Sequence, residues 1–398
     1  MTIVFLLVDF LHLYFILLIF ITIQMCRAQG TISSGEIQLK LVHLIWRHGD
    51  RNPEKTYPTD PYKDPSFWPD GFGELTRTGM KQHHELGKYF RNRYITSGFL
   101  QPRFDPKEVF VESSSLNRTI QSAFSNLRGF FNESELITDA DNNYVAAGYR
   151  QNATSSSIPV NLLPMNEDNK LLQVRAPCPK WEQLHKDLPQ NSVEVRELLI
   201  EHGWLLNYVS NHSGQVISNF IQLSQFNNIL YIQTLKNYTI PEWTRKIFPG
   251  GAMQKLSNFA FKMATYTEEM KRLRGGPLVK EIIRHMDHRV RRKPGTKHRK
   301  LYAYSAHDLT LTAVLDTLGV YDVHQPSYAS ALMIELNMNV TSGNYFVDVL
   351  YRNDTSRDPY VLQPLGCPQA SCDLKIFIRK FQRFLPKNWH EECKLSRK

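Results

Sequence analysis

Cysteine is scarce, with five residues in a chain of 398, and one of them, Cys26, lies in an apolar amino-terminal segment. A chain of this length can bury a full core, which excludes a short peptide-like scaffold that relies on cross-links. No internal repeat and no low-complexity tract occurs, so repeat architectures are excluded as well. No apolar stretch of spanning length follows Arg27, and the body is expected to be soluble. Metal-ligand spacing is also missing. His285 and His288 share a helix face and His83 and His84 are adjacent, yet neither set has Cys or carboxylate partners at ligand spacing. They read as ordinary helix-surface histidines, and no metal or cofactor is implied. Negative charge is the minority sign, 38 Asp+Glu against 48 Lys+Arg, a formal charge of +10. That balance suits anionic partners without naming one.

The amino-terminal Met1–Met25 is almost wholly apolar and holds the uninterrupted run Leu13–Ile21. The run has the length of a signal-peptide core, and Cys26-Arg27-Ala28 ends on a small residue, so residues 1–28 read as a secretory signal cleaved after Ala28. An uncleaved anchor is the competing reading, because no Lys or Arg precedes the run and Asp9 and His12 lie inside it. Either sends the body across a membrane, to a secreted or lysosomal destination, which argues against nucleic acid as the anionic partner. Asn-x-Ser/Thr acceptors at Asn117, Asn132, Asn152, Asn211, Asn237, Asn339 and Asn353 fit that route. The four remaining cysteines allow three pairings. Cys367 and Cys372 flank only Pro-Gln-Ala-Ser and can close locally, which leaves Cys178 for Cys393.

Short apolar runs alternate with amphipathic segments through the rest of the chain, an α/β pattern. Ile37–Trp46 alternates and then turns continuously apolar, as a central strand covered on both faces would. A helix is expected from about Thr76, with Met80, Leu86, Phe90 and Tyr94 on its buried side, ending before Gly98. Glu108–Ser113 reads as a second strand, followed by a helix carrying Ile120, Phe124, Leu127 and Phe131. Leu301–Ser305 reads as a third, followed by a helical stripe of Leu311, Val314, Leu315 and Leu318 that Gly319 stops. Helical patterns such as Val193–Val209 and Met253–Arg274 fill the interval between. The expected architecture is therefore a central mixed sheet with helices on both faces and an inserted, mostly helical cap lobe. The catalytic α/β domain occupies 37–160 and 296–393, the cap 161–295, and a tail 394–398.

The chemistry concentrates at three strand-to-helix junctions. Arg47-His48-Gly49-Asp50-Arg51-Asn52-Pro53 follows the first strand and brackets an imidazole with two guanidiniums, each able to grip phosphoryl oxygens through paired donors. An imidazole among fixed cations resists protonation and stays a neutral nucleophile. Arg118 sits near the start of the second helix, where a guanidinium and a helix amino end favour the same anion. The third junction supplies His307 and Asp308. Because ligands of open α/β sheets bind beyond the carboxyl ends of the strands, all three sites are expected on one rim. Arg47, Arg51, Arg118 and His307 would surround a phosphoryl group, His48 would attack it, and Asp308 would donate a proton to the leaving oxygen. A donor carboxyl must be protonated, which predicts an acid optimum.

These residues resemble the histidine acid phosphatases, especially the animal prostatic and lysosomal type. Beyond Arg47–Pro53 the resemblance includes Tyr57-Pro58-Thr59-Asp60-Pro61, Trp68–Tyr94, Gly275-Gly276, Tyr304–Asp308, Tyr328-Ala329-Ser330 and Tyr351-Arg352-Asn353. It implies hydrolysis of phosphate monoesters through a phosphohistidine on His48, no metal, a two-domain α/β fold with a helical cap, and a homodimer. The largest departure is at the second junction, where the family pattern Arg-Ser-Thr-Asp-x-Asp-Arg becomes Glu112-Ser113-Ser114-Ser115-Leu116-Asn117-Arg118. Glu112 reverses a charge, Ser115 and Asn117 remove two carboxylates, and a glycan on Asn117 would block the pocket, so that acceptor is expected to be unoccupied. Ile232 and Ala331 stand where the family usually has a further disulfide, and Leu309 replaces a Thr. Two alternatives remain: a secreted phosphate-ester binding or effector protein with impaired turnover, and a phytase-like or lysophospholipid-directed phosphatase. The basic run 288–300 reads first as a solvated connector and second as a contact for glycosaminoglycan or an anionic membrane surface.

Overall fold

Alternation along β1 (Ile37–Arg47) decides which side of the sheet each of its residues serves. Leu41 and Ile45 enter one apolar cluster, whereas Val42, Leu44 and Trp46 enter another on the opposite face. The strand is buried from Leu41 onward, so both faces must be covered, as its continuous apolar run implies. The computed structural model describes residues 36–131, 158–173, 175–291 and 298–395. Residues 1–28, Asn132, Asn152 and positions 292–297 of the basic run lie outside the described residues.

β2 (Val109–Ser113), β3 (Asn161–Leu162) and β4 (Leu301–Ala306) are parallel to β1, and β5 (Ala331–Asn339), β6 (Tyr345–Arg352) and β7 (Tyr360–Leu362) extend the sheet antiparallel. The order is β3-β2-β4-β1-β5-β6-β7, with β8 (Cys372–Asp373) pairing β6. One face is covered by α1 (Arg77–Phe90) and α2 (Asn117–Phe131), through Leu86, Phe90, Leu127 and Phe130. Contact there is close because the two helices meet at glycines: a Cβ on Gly87 would lie 2.0 Å from the Asn126 carbonyl oxygen. α1 starts where the sequence places it, with the Thr76 hydroxyl accepting from Gly79 N–H, and continues as a π-helical turn over Arg91–Ile95. Its buried residues include Gly79 and His83 rather than Met80, which is half-buried, and in α2 Phe124 is likewise half-buried.

The cap is built by α3 (Pro179–Lys186), α4 (Leu188–Asn191), α5 (Val193–Ser213), α6 (Phe220–Leu235), α7 (Gly251–Met263) and α8 (Glu268–Arg274). α5, α6 and α7 share a core of their own containing Leu205, Phe226, Leu230 and Met253. The expected single helix Met253–Arg274 is two, because Thr267 caps a new start by accepting from Met270 N–H. α9 (Gly276–Val290), which the sequence reading assigns to the cap, instead covers the other face of the sheet with Leu278, Ile282 and Met286. It is joined there by α10 (Asp308–Thr317) and α11 (Leu374–Phe381). α10 is followed by Gly319 at φ +69°, a left-handed helix stop. Cys178–Cys393 ties the start of α3 to the end of α12 (Trp389–Glu392), and Cys367–Cys372 closes the short loop before α11. In the basic run, Arg291 pairs with Asp287 and Lys300 with Glu108.

His285 and His83 are not surface histidines: both are buried. His285 on α9 stacks 3.7 Å from the Tyr302 ring and lies in hydrogen-bonding contact with buried His43 at 3.3 Å. Burial pushes the His285 imidazole down to about 4, with only partial opposition from Glu281. The folded state therefore takes up this proton less readily than the unfolded chain. Stability is retained above the ordinary histidine range and lost as pH falls from about 6.5 toward the folded value. His285→Gln, which keeps a polar partner for His43 and does not titrate, is expected to reduce the loss of unfolding free energy between those limits, as measured by urea denaturation across pH.

Candidate active site

The parallel register of β1 and β4 places Arg47 opposite Ala306, and His48 N–H donates to the Ala306 carbonyl at 3.0 Å. The residues that leave these strands, His48 and His307, consequently stand side by side, their rings 5.5 Å apart and edge to face. β2 is parallel to β4, and Ser114 N–H donates to Ser305 O at 3.1 Å, so the segment leading to Arg118 leaves the same rim. All six residues expected to form the site, Arg47, His48, Arg51, Arg118, His307 and Asp308, are thereby brought together.

The backbone around His48 depends on two glycines. A Cβ on Gly49 would lie 2.4 Å from Gly79 O, and one on Gly79 would lie 2.3 Å from Asp50 O, so the catalytic loop can rest on the first turn of α1 only without side chains there. Gly49 N–H donates to Ser122 on α2. Asp50 is buried; its backbone N–H donates to Gln82 and its carboxylate accepts from the Thr76 hydroxyl at 2.5 Å. The loop is thus fastened to α1 at three points.

His48 Nδ1 lies 2.9 Å from the carbonyl oxygen of Gly49. A carbonyl only accepts, so Nδ1 carries the proton and Nε2 keeps its lone pair. Burial, followed by the charges of Arg118, Arg47 and Arg51, holds this imidazole well below its usual range. His307 is pushed down to about 3 by burial and by Arg118, against the opposing charge of Asp308. Its Nε2 contacts the Ser114 hydroxyl at 2.8 Å, which in turn contacts Thr119.

Three guanidiniums line the pocket. Arg47 is 1% exposed; it meets Asp308 at 2.9 Å, donates to the Pro326 carbonyl and lies 4.3 Å over the Tyr328 ring. Arg51 donates to Asn52 O and, from the cap, to Asn228 Oδ1 at 3.1 Å. Arg118 is depressed by burial and then by Arg51, despite an ion pair with Glu54 at 2.6 Å. Among the described residues, the buried Nε atoms of Arg47, Arg51 and Arg118 have no hydrogen-bond partner. Desolvated cationic donors gathered around His48 suit a multi-oxygen anion. Burial works to raise the Asp308 carboxyl, but Arg47, His307 and Arg51 outweigh it and hold it below the ordinary carboxylate value. In the free pocket this carboxyl is ionised, contrary to the protonated state expected of a ready donor.

Residues 38–352 match the histidine phosphatase superfamily (branch 2). The chain belongs to that family. It is 34% identical over 360 residues to the lysosomal acid phosphatase of Rattus norvegicus, covering 90% of this chain and 81% of that protein. Against the prostatic acid phosphatase of Homo sapiens identity is also 34% over 360 residues, covering 89% and 88%. Among solved structures, the Citrobacter braakii phytase superposes with a TM-score of 0.66 at 17% identity, covering 90% of this chain and 100% of that one, a likeness of fold.

Within this histidine phosphatase several positioning residues escape a sequence reading. His83 Nε2 donates to the carbonyl of Arg47 at 3.0 Å and fixes the strand end from α1. Its polar neighbour His84 is half-buried, and only their different places on the helix face distinguish them. Glu54 was unmarked by any motif. The charge reversal at Glu112 is answered by Lys170, whose Nζ lies 2.8 Å from Glu112 and 3.0 Å from Glu281, while the Tyr304 hydroxyl donates to Glu281 at 2.8 Å. Burial opposes the Lys170 charge, but Glu281 and Glu112 prevail and raise its pKa. The departure at Glu112 is therefore a buried charge paired with Lys170, although burial, with Glu281, still raises its carboxyl above the usual range. Among the described residues no cluster of three or more His, Cys, Asp or Glu could hold a metal ion. Lys170→Met strands two carboxylates and is expected to cost about 3 kcal/mol of stability at neutral pH. The loss, read by chemical denaturation, should shrink when Glu112→Gln is added.

Proposed function

We propose that this histidine phosphatase is an acid phosphatase, hydrolysing phosphate monoesters through a phosphohistidine on His48. The observation that carries the reading is the His48 ring: its proton is committed to the Gly49 carbonyl, leaving an unprotonated Nε2 in a cage of guanidiniums. Its relatives are named lysosomal and prostatic acid phosphatases. The phosphoryl oxygens occupy the free donors of Arg47, Arg51 and Arg118, with His307 beside them. His48 Nε2 attacks phosphorus as the ester P–O bond breaks, and Asp308 delivers a proton to the leaving oxygen. Water then attacks phosphorus, the P–N bond breaks, and the Asp308 carboxylate takes the water's proton.

The ionised Asp308 of the free pocket fits this sequence once substrate is counted. A phosphoryl dianion neutralises Arg47 and Arg51, the charges that hold the carboxyl low, so binding raises its pKa and acid pH supplies the proton. The acid optimum then reflects the substrate complex. No metal enters any step. Cleavage after Ala28, residence in a secreted or lysosomal lumen and a homodimer belong to the same reading, and no described helix is long and apolar enough to cross a membrane. Asn211 and Asn237 are exposed and suited to glycans, whereas the Asn117 amide donates to Glu74 at 2.6 Å, a bond that favours leaving it unmodified. Asn339 and Asn353 are half-buried.

His48→Ala is expected to abolish hydrolysis of p-nitrophenyl phosphate at acid pH. Acid quenching with radiolabelled substrate should place an acid-labile label on the peptide containing His48; a label on any other peptide removes the mechanism. Asp308→Asn should lower kcat by about 10² to 10⁴, more for alkyl than for nitrophenyl esters because the better leaving group needs less protonation. Vanadate and tartrate should compete, and EDTA should leave activity intact.

A further inference from the structure

Glu54 is a charged residue beside the site that the proposed reaction does not use. Its carboxylate lies 2.6 Å from Arg118 Nη2 and 4.0 Å from Arg51 Nη2, bridging two guanidiniums that belong to different junctions. The pair is asymmetric. Glu54 is 54% exposed, whereas Arg118 is 13% exposed and its Nε has no partner among the described residues. Gly73 lies beside the pair: a Cβ there would meet Glu54 Cγ at 3.7 Å and Arg118 Nη1 at 3.8 Å, ordinary contact distances. The arginine is the buried half of the pair, and the carboxylate is the half that solvent reaches.

An exposed ion pair contributes little, and a phosphoryl dianion with several oxygens can displace a single carboxylate from Arg118. Once displaced, Glu54 stays tethered at the rim, three residues from Arg51. A second anionic group that approached the scissile phosphate from that side would meet this carboxylate. We infer that Glu54 is a specificity-determining residue: a built-in, displaceable counter-ion of Arg118 that weakens binding of phosphate and selects against polyanionic esters in favour of esters with uncharged or cationic leaving groups. This rests on the phosphatase reading above and deepens it.

The test compares wild type with Glu54→Gln and Glu54→Asp at one pH above the ordinary carboxylate range. Removing the charge is expected to lower KM for p-nitrophenyl phosphate and the inhibition constant of vanadate by about two- to fivefold. The ratio of kcat/KM for inositol hexakisphosphate to that for p-nitrophenyl phosphate should rise by more. Glu54→Asp, which keeps the charge but shortens its reach, should loosen the Arg118 contact while still disfavouring the polyanion, and it supplies the readout if the Gln variant does not fold. An unchanged KM, vanadate constant and substrate ratio overturns the inference while leaving the phosphatase reading intact. Absence of any hydrolysis by the wild type removes that reading instead, and vanadate affinity, read by its thermal shift, then decides the role of Glu54 by itself.

Discussion

The parallel ladder between β1 and β4 is the constraint on which the site depends. Arg47 lies opposite Ala306 and His48 N–H is bonded to Ala306 O, so the two histidines that follow have no choice but to adjoin. A slip of one residue would exchange the faces of every side chain in β1, sending Val42, Leu44 and Trp46 to the wrong core. The same register that fills both cores therefore aligns the catalytic ends. β5 adds the third support: Arg47 N–H donates to Ser330 O, Ala329 N–H to His48 O, and Tyr328 is set beneath the Arg47 guanidinium. Ala329 takes a left-handed φ of +56° to make that connection, a local strain carried by a buried turn.

What this alignment creates is an excess of positive charge in a desolvated place. Burial disfavours Arg118 as a cation, and Arg51 and Arg47 add repulsion. Two carboxylates answer it, Asp308 on Arg47 and Glu54 on Arg118, and the buried Nε atoms of the three arginines have no partner among the described residues. The unfavourable charge cluster is held by the sheet and by Gly49 packed on Gly79, not by its own contacts. Such a pocket is pre-organised: an arriving phosphoryl group relieves repulsion that folding has already imposed, and no donor has to be reoriented. Burial is the first cause of the lowered His48 imidazole and the arginine charges add to it, so the proposed nucleophile's neutrality and the binding charge share part of their origin.

The three strands and the motif residues were legible because they are local. β1, β2 and β4 differ from the expected Ile37–Trp46, Glu108–Ser113 and Leu301–Ser305 by a residue at one end, and the strand-end rule is enough to gather six side chains. Legibility ends where the covering partner matters. α9 has an ordinary amphipathic stripe, and nothing in a stripe says whether a sheet or a helical lobe will bury it. His83 looks like His84 until α1 turns it toward the Arg47 carbonyl. The charge reversal at Glu112 reads as damage when taken alone, because the lysine that answers it is 58 residues away in sequence and becomes a neighbour only through the parallel pairing of β2 with β3.

The cap reaches the pocket through a few polar and aromatic side chains rather than through its core. On α6, Asn228 binds Arg51 and Tyr231 lies 6.3 Å from the Tyr328 ring, while Gln233 donates to Asp60 and thereby holds the Tyr57–Trp68 loop. Asn228 and Tyr231 are one helical turn apart and share a face, so their position over the phosphoryl site follows from how Phe226, Leu230 and Met253 seat α6 in the cap. In the proposed reaction the leaving group would face these cap side chains and Glu54. Phosphoryl chemistry is thus fixed by the sheet, whereas discrimination among esters falls to exposed side chains whose placement depends on packing elsewhere. That division explains why the reaction can be read from short motifs and the preferred ester cannot: the motif residues are set by strand register, and the residues facing the leaving group are set by the relation of two separately packed cores.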